Sequence, residues 1–163
     1  MIPPKADVTL RDLIARGHAP APPASFVWRS PHAKDSGGLA LDPAFAEDYE
    51  LALRQAFGGP VITHGQTSAR YRTGGGKSTR FPLRGLREAE RMRSHYAAVA
   101  GIDFRPHTER QLRALVQWRR ATEPAPNRTR AARVWAAAAA VTSAPILIGR
   151  RVVRRVLRQN ADG

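Results

Sequence analysis

The sequence predicts an α/β chain in which helices dominate, on three observations. Apolar residues recur at helical spacing in several segments, short β-branched and aromatic runs lie between them, and clusters of glycine and proline punctuate the transitions. The 163 residues (17.9 kDa) suffice for one domain, or one small domain with an appendage.

Taken in order, Val8 to Ala15 places Leu10, Leu13 and Ile14 at helical spacing and ends at Arg16-Gly17-His18 before a proline-rich stretch. Ser25-Phe26-Val27-Trp28-Arg29 predicts a short strand, followed by a loop through Gly37-Gly38. Asp42-Pro43 opens the next helix, which carries Tyr49, Leu53 and Ala56 on one face and stops at Gly58-Gly59-Pro60. Two strands are expected at Val61–His64 and Ser68–Arg72, then a glycine cluster at Gly74-Gly75-Gly76. Leu86, Ala89, Met92, Tyr96 and Val99 mark an amphipathic helix, and Thr108-x-x-Gln111 is a capping box for another. Glu123 to Asn127, with two prolines, is a linker. These boundaries divide the chain into residues 1–105 and a helical extension, 106–163.

The extension differs in character. Val134 to Ile148 is apolar and alanine-rich, interrupted by Pro145, and is followed by Arg150, Arg151, Arg154, Arg155 and Arg158 interleaved with aliphatic residues. A helix there gathers arginines on one side and aliphatics on the other. Three readings fit: a helix on an anionic membrane surface, a helix packed on its own domain with a solvated arginine face, and a helix in a nucleic-acid groove.

Charge and composition bound the function. There are 27 Lys+Arg against 13 Asp+Glu, a net +14, and only Lys5, Lys34 and Lys77 are lysines. That excess favours anionic partners. The absence of cysteine excludes a disulfide scaffold, a cysteine-ligated zinc site and a thiol nucleophile. No secretory signal pattern opens the chain and no apolar run is long enough to cross a bilayer, so the expected location is cytoplasmic; the arginine-rich segment leaves open a peripheral place at the cytoplasmic membrane face.

Few motifs carry chemistry. Gly74-Gly75-Gly76-Lys77-Ser78-Thr79 has the look of a phosphate loop, but the first glycine of that motif would fall at Tyr71, and Pro82 interrupts the helix that should follow. Its backbone amides and Lys77 suit contact with an anion. The five histidines show no metal-ligand spacing, and no serine sits in a nucleophile elbow. Glu47 and Asp48 are more informative. They form an adjacent acid pair near a helix start, where a carboxylate either serves the helix dipole alone or accepts a proton from a substrate hydroxyl as general base.

Gly37-Gly38, then after eight residues Glu47-Asp48-Tyr49-Glu50-Leu51 and Arg54, followed by Gly59-Pro60-Val61 and Tyr71-Arg72, resembles the acceptor-side half of family 2 glycosyltransferases. Leu10–Ile14 and Ser25–Arg29 are similar to the helix and strand that precede this region in the family, so the match covers roughly residues 7 to 100. The resemblance implies a partial GT-A-like α/β sandwich with a few short strands. It implies inverting transfer of a sugar from a nucleotide sugar to a glycan or lipid-linked acceptor, with Asp48 as base, Glu47 as supporting carboxylate, and Arg54 and Arg72 as structural or anion-contacting residues.

The sequence departs from that pattern at three points. The turn runs Gly37-Gly38-Leu39-Ala40 and lacks its acid; Gly74 stands where the family has histidine; and the donor-binding half with its Asp-x-Asp motif is absent from these 163 residues. The expectation is therefore a chain that binds no cofactor by itself, is inactive alone, and requires a donor-binding partner (the divalent metal arriving with that half) or is a truncated remnant. An incomplete layer would leave an apolar edge, predicting self-association or a partner chain. The alternative is a non-catalytic basic module that binds an anionic membrane surface or nucleic acid, the latter ranked lower because the aromatics do not cluster with arginine.

Overall fold

The computed structural model describes residues 7–20, 27, 30–38, 45–62, 80–122 and 129–161. Seven helices occupy most of them: α1 (Leu10–Arg16), α2 (Ser30–Asp35), α3 (Glu47–Phe57), α4 (Pro82–Val99), α5 (Glu109–Thr122), α6 (Arg130–Ser143) and α7 (Pro145–Ala161). The chain divides into two compact units, Met1–Pro106 and His107–Gly163.

In the first unit α1, α3 and α4 pack on one another. Thr9 caps α1 through a reciprocal box with Asp12, and Gly17 ends it in the left-handed region (φ 74°). Leu13, Ile14, Tyr49, Leu53 and Met92 are buried together at the centre, with Ile102 and Phe104 packed against them. α3 begins later than Asp42-Pro43 suggests. Ala46 precedes it with φ 60°, a left-handed conformation that no right-handed helix continues through. A short helix also stands at Ser30–Asp35, where the sequence predicts only loop; Pro31 in its first turn supplies the preset φ of a helix start.

The expected α/β sandwich is not found: no strand or sheet occurs among the described residues. One antiparallel bridge joins Val8 and Val61, with both backbone hydrogen bonds at 2.9 Å. Of the predicted strand Val61–His64, Ile62 is 76% exposed, and of Ser25–Arg29 the single described residue, Val27, is exposed and in no strand. Ser68–Arg72 lies outside the described residues. The physical reason is that the apolar stripes of α1, α3 and α4 cover one another. Val61, bridged to Val8 alone, adds a clip to this core and not a layer.

In the second unit α5 and α6 pack along each other and α7 returns against both. The capping box is present: Gln111 Oε1 accepts from the Thr108 amide (2.8 Å) and Thr108 Oγ1 from the Gln111 amide (3.3 Å). Thr129 Oγ1 caps α6 by accepting from the Ala132 amide at 3.2 Å. Pro145 cannot extend α6, and the chain bends by 118° between α6 and α7.

Candidate functional site

The acid pair opens α3. Glu47, Asp48 and Glu50 all lie in its first turn, where the amide dipoles favour negative charge. Ala46 offers no side-chain cap, and the Asp48 carboxylate takes that role by accepting from the Tyr49 amide at 2.8 Å. Burial raises the Asp48 proton affinity above the ordinary carboxylate value, and the like charge of Glu47 adds to it; the Tyr49 amide and nearby His18 oppose the shift. His18 Nδ1 lies 2.8 Å from the Ala19 carbonyl oxygen. That pairing places the ring proton on Nδ1 in the neutral imidazole and leaves Nε2 as an acceptor.

Glu47, Glu50 and Arg54 follow one another at positions i, i+3 and i+7, one stripe of α3. Glu50 Oε2 accepts from Arg54 Nη2 at 2.9 Å, and Glu50 Oε1 accepts from the Tyr96 hydroxyl of α4 at 2.6 Å. Burial and that bond to a carboxylate push the Tyr96 phenol well above its ordinary range, so it stays a donor. The Arg54 guanidinium also donates to the carbonyls of Ser36 and Gly38. Gln55, itself buried, donates to the Ser36 hydroxyl. Gly37 and Gly38 both carry positive φ (80° and 62°), which glycine adopts without cost and which turns these carbonyls toward one guanidinium. Arg54 Nε and Gln55 Oε1 are buried and find no hydrogen-bond partner among the described residues.

The Gly-Gly turn, Glu50 and Arg54 thus form one cluster, with Glu47 and Asp48 a turn earlier on the same helix. Arg72 and Lys77 lie outside the described residues. Sequence reasoning missed His18, Ser36, Gln55 and Tyr96. Only the Glu50–Arg54 spacing of i, i+4 carried a local signal of the network; the others depend on which segments meet in space.

No family model, curated protein or solved structure matches this chain. Among the described residues no three histidine or acidic side chains come together as a metal-ligand set. The divalent metal that the resemblance implies belongs to the donor-binding half, and the chemistry proposed for this chain's own residues is derived without it.

Proposed function

We propose that the first unit supplies the acceptor side of an inverting glycosyl transfer, with Asp48 as general base. The observation that carries this reading is the Arg54 tether. It draws the Gly37–Gly38 turn onto the helix that begins with Glu47 and Asp48, so two pieces of the glycosyltransferase resemblance, separated by eight residues in sequence, are tied together by Arg54. The reading rests on this cluster and not on a sandwich fold.

In the proposed step an acceptor hydroxyl gives its proton to the Asp48 carboxylate as its oxygen bonds to the anomeric carbon. The bond from that carbon to the nucleoside diphosphate breaks, and the diphosphate leaves with the electron pair. The raised proton affinity of Asp48 brings it closer to the hydroxyl it must deprotonate than an ordinary carboxylate would be. Glu47 sustains that shift by charge repulsion, and Arg54 holds the turn. The donor sugar is bound by residues outside this chain.

Amide NMR titration tests the reading. Glycan and polyprenyl-phosphate-linked saccharides are expected to shift the Gly37, Gly38, Asp48 and Tyr49 amides of the isolated chain, and nucleotide sugars with Mn²⁺ to leave them in place. Shifts from nucleotide sugars alone, or from neither class, overturn it. Once a donor-binding partner is reconstituted, transfer that survives Asp48→Asn removes the assigned base.

A further inference from the structure

The second unit carries an apolar face that its own core does not use. On α6 the residues turned inward are Ala136 and Ala140, with Ala144 at the break, all buried, and Arg133 Nε donates to the Ala121 carbonyl at 2.9 Å. The opposite side presents Trp135, 76% exposed, flanked by exposed Val134 and Val141. No charged residue occurs from Val134 to Gly149, so this outer face has no ionic group to hold water. On α7 Ile148 is buried, whereas Ile146 is 74% and Val153 58% exposed, with Arg150 and Arg151 exposed between them. The sequence adds Arg154, Arg155 and Arg158. Between Glu123 and Asp162 it places eight arginines and no acid.

Exposed aromatic and aliphatic side chains beside an acid-free arginine set match one surface chemistry, an apolar layer beneath a plane of negative charge. We propose that α6 and α7 dock on an anionic lipid bilayer. Trp135, Ile146 and Val153 enter the boundary between headgroups and acyl chains, and the arginines meet lipid phosphates. The helices lie on the bilayer and do not span it. At about 1.5 Å per residue the 14 residues of α6 reach about 21 Å, short of a hydrocarbon core of about 30 Å. No single described helix is long and apolar enough to cross; α6 and α7 meet that length and composition only together, across the 118° bend. A second copy of the face would bring like charges together. A nucleic acid would use the arginines and leave Trp135, Ile146 and Val153 in water.

Vesicle co-sedimentation of the full chain tests this. Binding is expected to vesicles of equal parts phosphatidylcholine and phosphatidylglycerol, to be absent with phosphatidylcholine alone, and to fall as salt rises. Tryptophan emission should shift to the blue on binding, and Trp135→Phe should remove the shift although Trp28 and Trp118 remain. The triple variant Trp135→Ser, Ile146→Ser, Val153→Ser, at exposed positions and with circular dichroism unchanged, should bind at least tenfold more weakly. Arg150→Gln and Arg151→Gln should each cost roughly fivefold. Binding that survives the triple substitution, a blue shift that survives Trp135→Phe, duplex DNA binding without vesicle binding, or lipid-independent dimerisation that buries Trp135 would each overturn the proposal. It is independent of the glycosyl-transfer reading: Asp48→Asn should leave vesicle binding unchanged.

Discussion

Arg93 Nε, on α4, donates to the carbonyl oxygen of Ile14 at 2.6 Å and so closes the last turn of α1. The same guanidinium pairs with Glu90 at 2.6 Å and lies over the Phe104 ring, 4.5 Å from its centroid. One carbonyl earlier, Leu13 O accepts from the Tyr49 hydroxyl at 2.8 Å. A seven-residue helix is far too short to persist alone; the Gly17 amide already bonds Leu13 O at 3.0 Å, Tyr49 adds a second donor there, and Arg93 serves Ile14 O.

Arg93→Met should destabilise the first unit by about 3–5 kcal/mol, because it removes the Ile14 cap and breaks the buried ion pair with Glu90. The double variant Arg93→Met, Glu90→Met should recover part of that loss. Urea unfolding of the wild type and the two variants measures it; a double variant less stable than the single one would show that Glu90 contributes stability apart from Arg93.

Tyr49→Phe keeps the ring in the core and removes only the hydroxyl that reaches Leu13. The expected cost is about 1–1.5 kcal/mol, read from the urea midpoint at unchanged slope. Leu13→Ala, at a fully buried position, should cost about 2–5 kcal/mol by the same measurement.

Asp48 holds its proton more tightly in the folded chain than unfolded, so its contribution to stability is fully present below the ordinary value of 3.8 and is lost as pH rises through the higher folded value. Asp48→Asn should therefore gain on the wild type as pH rises, by under about 1 kcal/mol at neutrality because the carboxylate is partly solvated. Thermal unfolding from pH 3 to 8 gives the difference curve. In a reconstituted transfer assay the proposed role of Asp48 as base places the acid limb of the rate profile above the ordinary carboxylate value, since a base acts only when ionised.

Arg54→Lys keeps the charge and loses the planar fork that serves Glu50, Ser36 and Gly38 together. Amide exchange at Gly37 and Gly38 should accelerate by at least tenfold while the amides of α1 keep their protection. Unchanged exchange would mean that the turn holds without the tether.

Thr129→Ala removes the hydroxyl that caps α6 and should cost about 1 kcal/mol. The loss should appear in the exchange of α6 amides and leave α3 unaffected, because the two helices belong to different units.

The helices were legible because their signals are local. The Thr108–Gln111 box lies within four residues, and the apolar spacing of α1, α3 and α4 marks the faces that pack. The Thr9–Asp12 box was equally readable, with aspartate in place of glutamate. The strands were not, because a short β-branched run says nothing about whether a partner edge exists; among the described residues Val61 found one residue to pair with, and Ile62 none. Arg93 left a faint trace as a charge in the middle of the Ala89–Arg93–Ala97 stripe, whose alanines are buried, but the carbonyl it reaches belongs to a distant helix. The Arg54 tether is of the same kind: i, i+4 spacing announces Glu50, and nothing local announces Gly38.

The bonds that finish α1 also set an order of events. Leu13 waits for Tyr49, 36 residues on, and Ile14 for Arg93, 79 residues on. Gly17 closes α1 locally, but the helix gains its tertiary bonds only once α3 and α4 are in place. The first unit must close long loops before it gains those bonds, which slows its folding. The α5–α6 hairpin joins neighbours in sequence and needs no such long closure, so the second unit is positioned to fold ahead of the first.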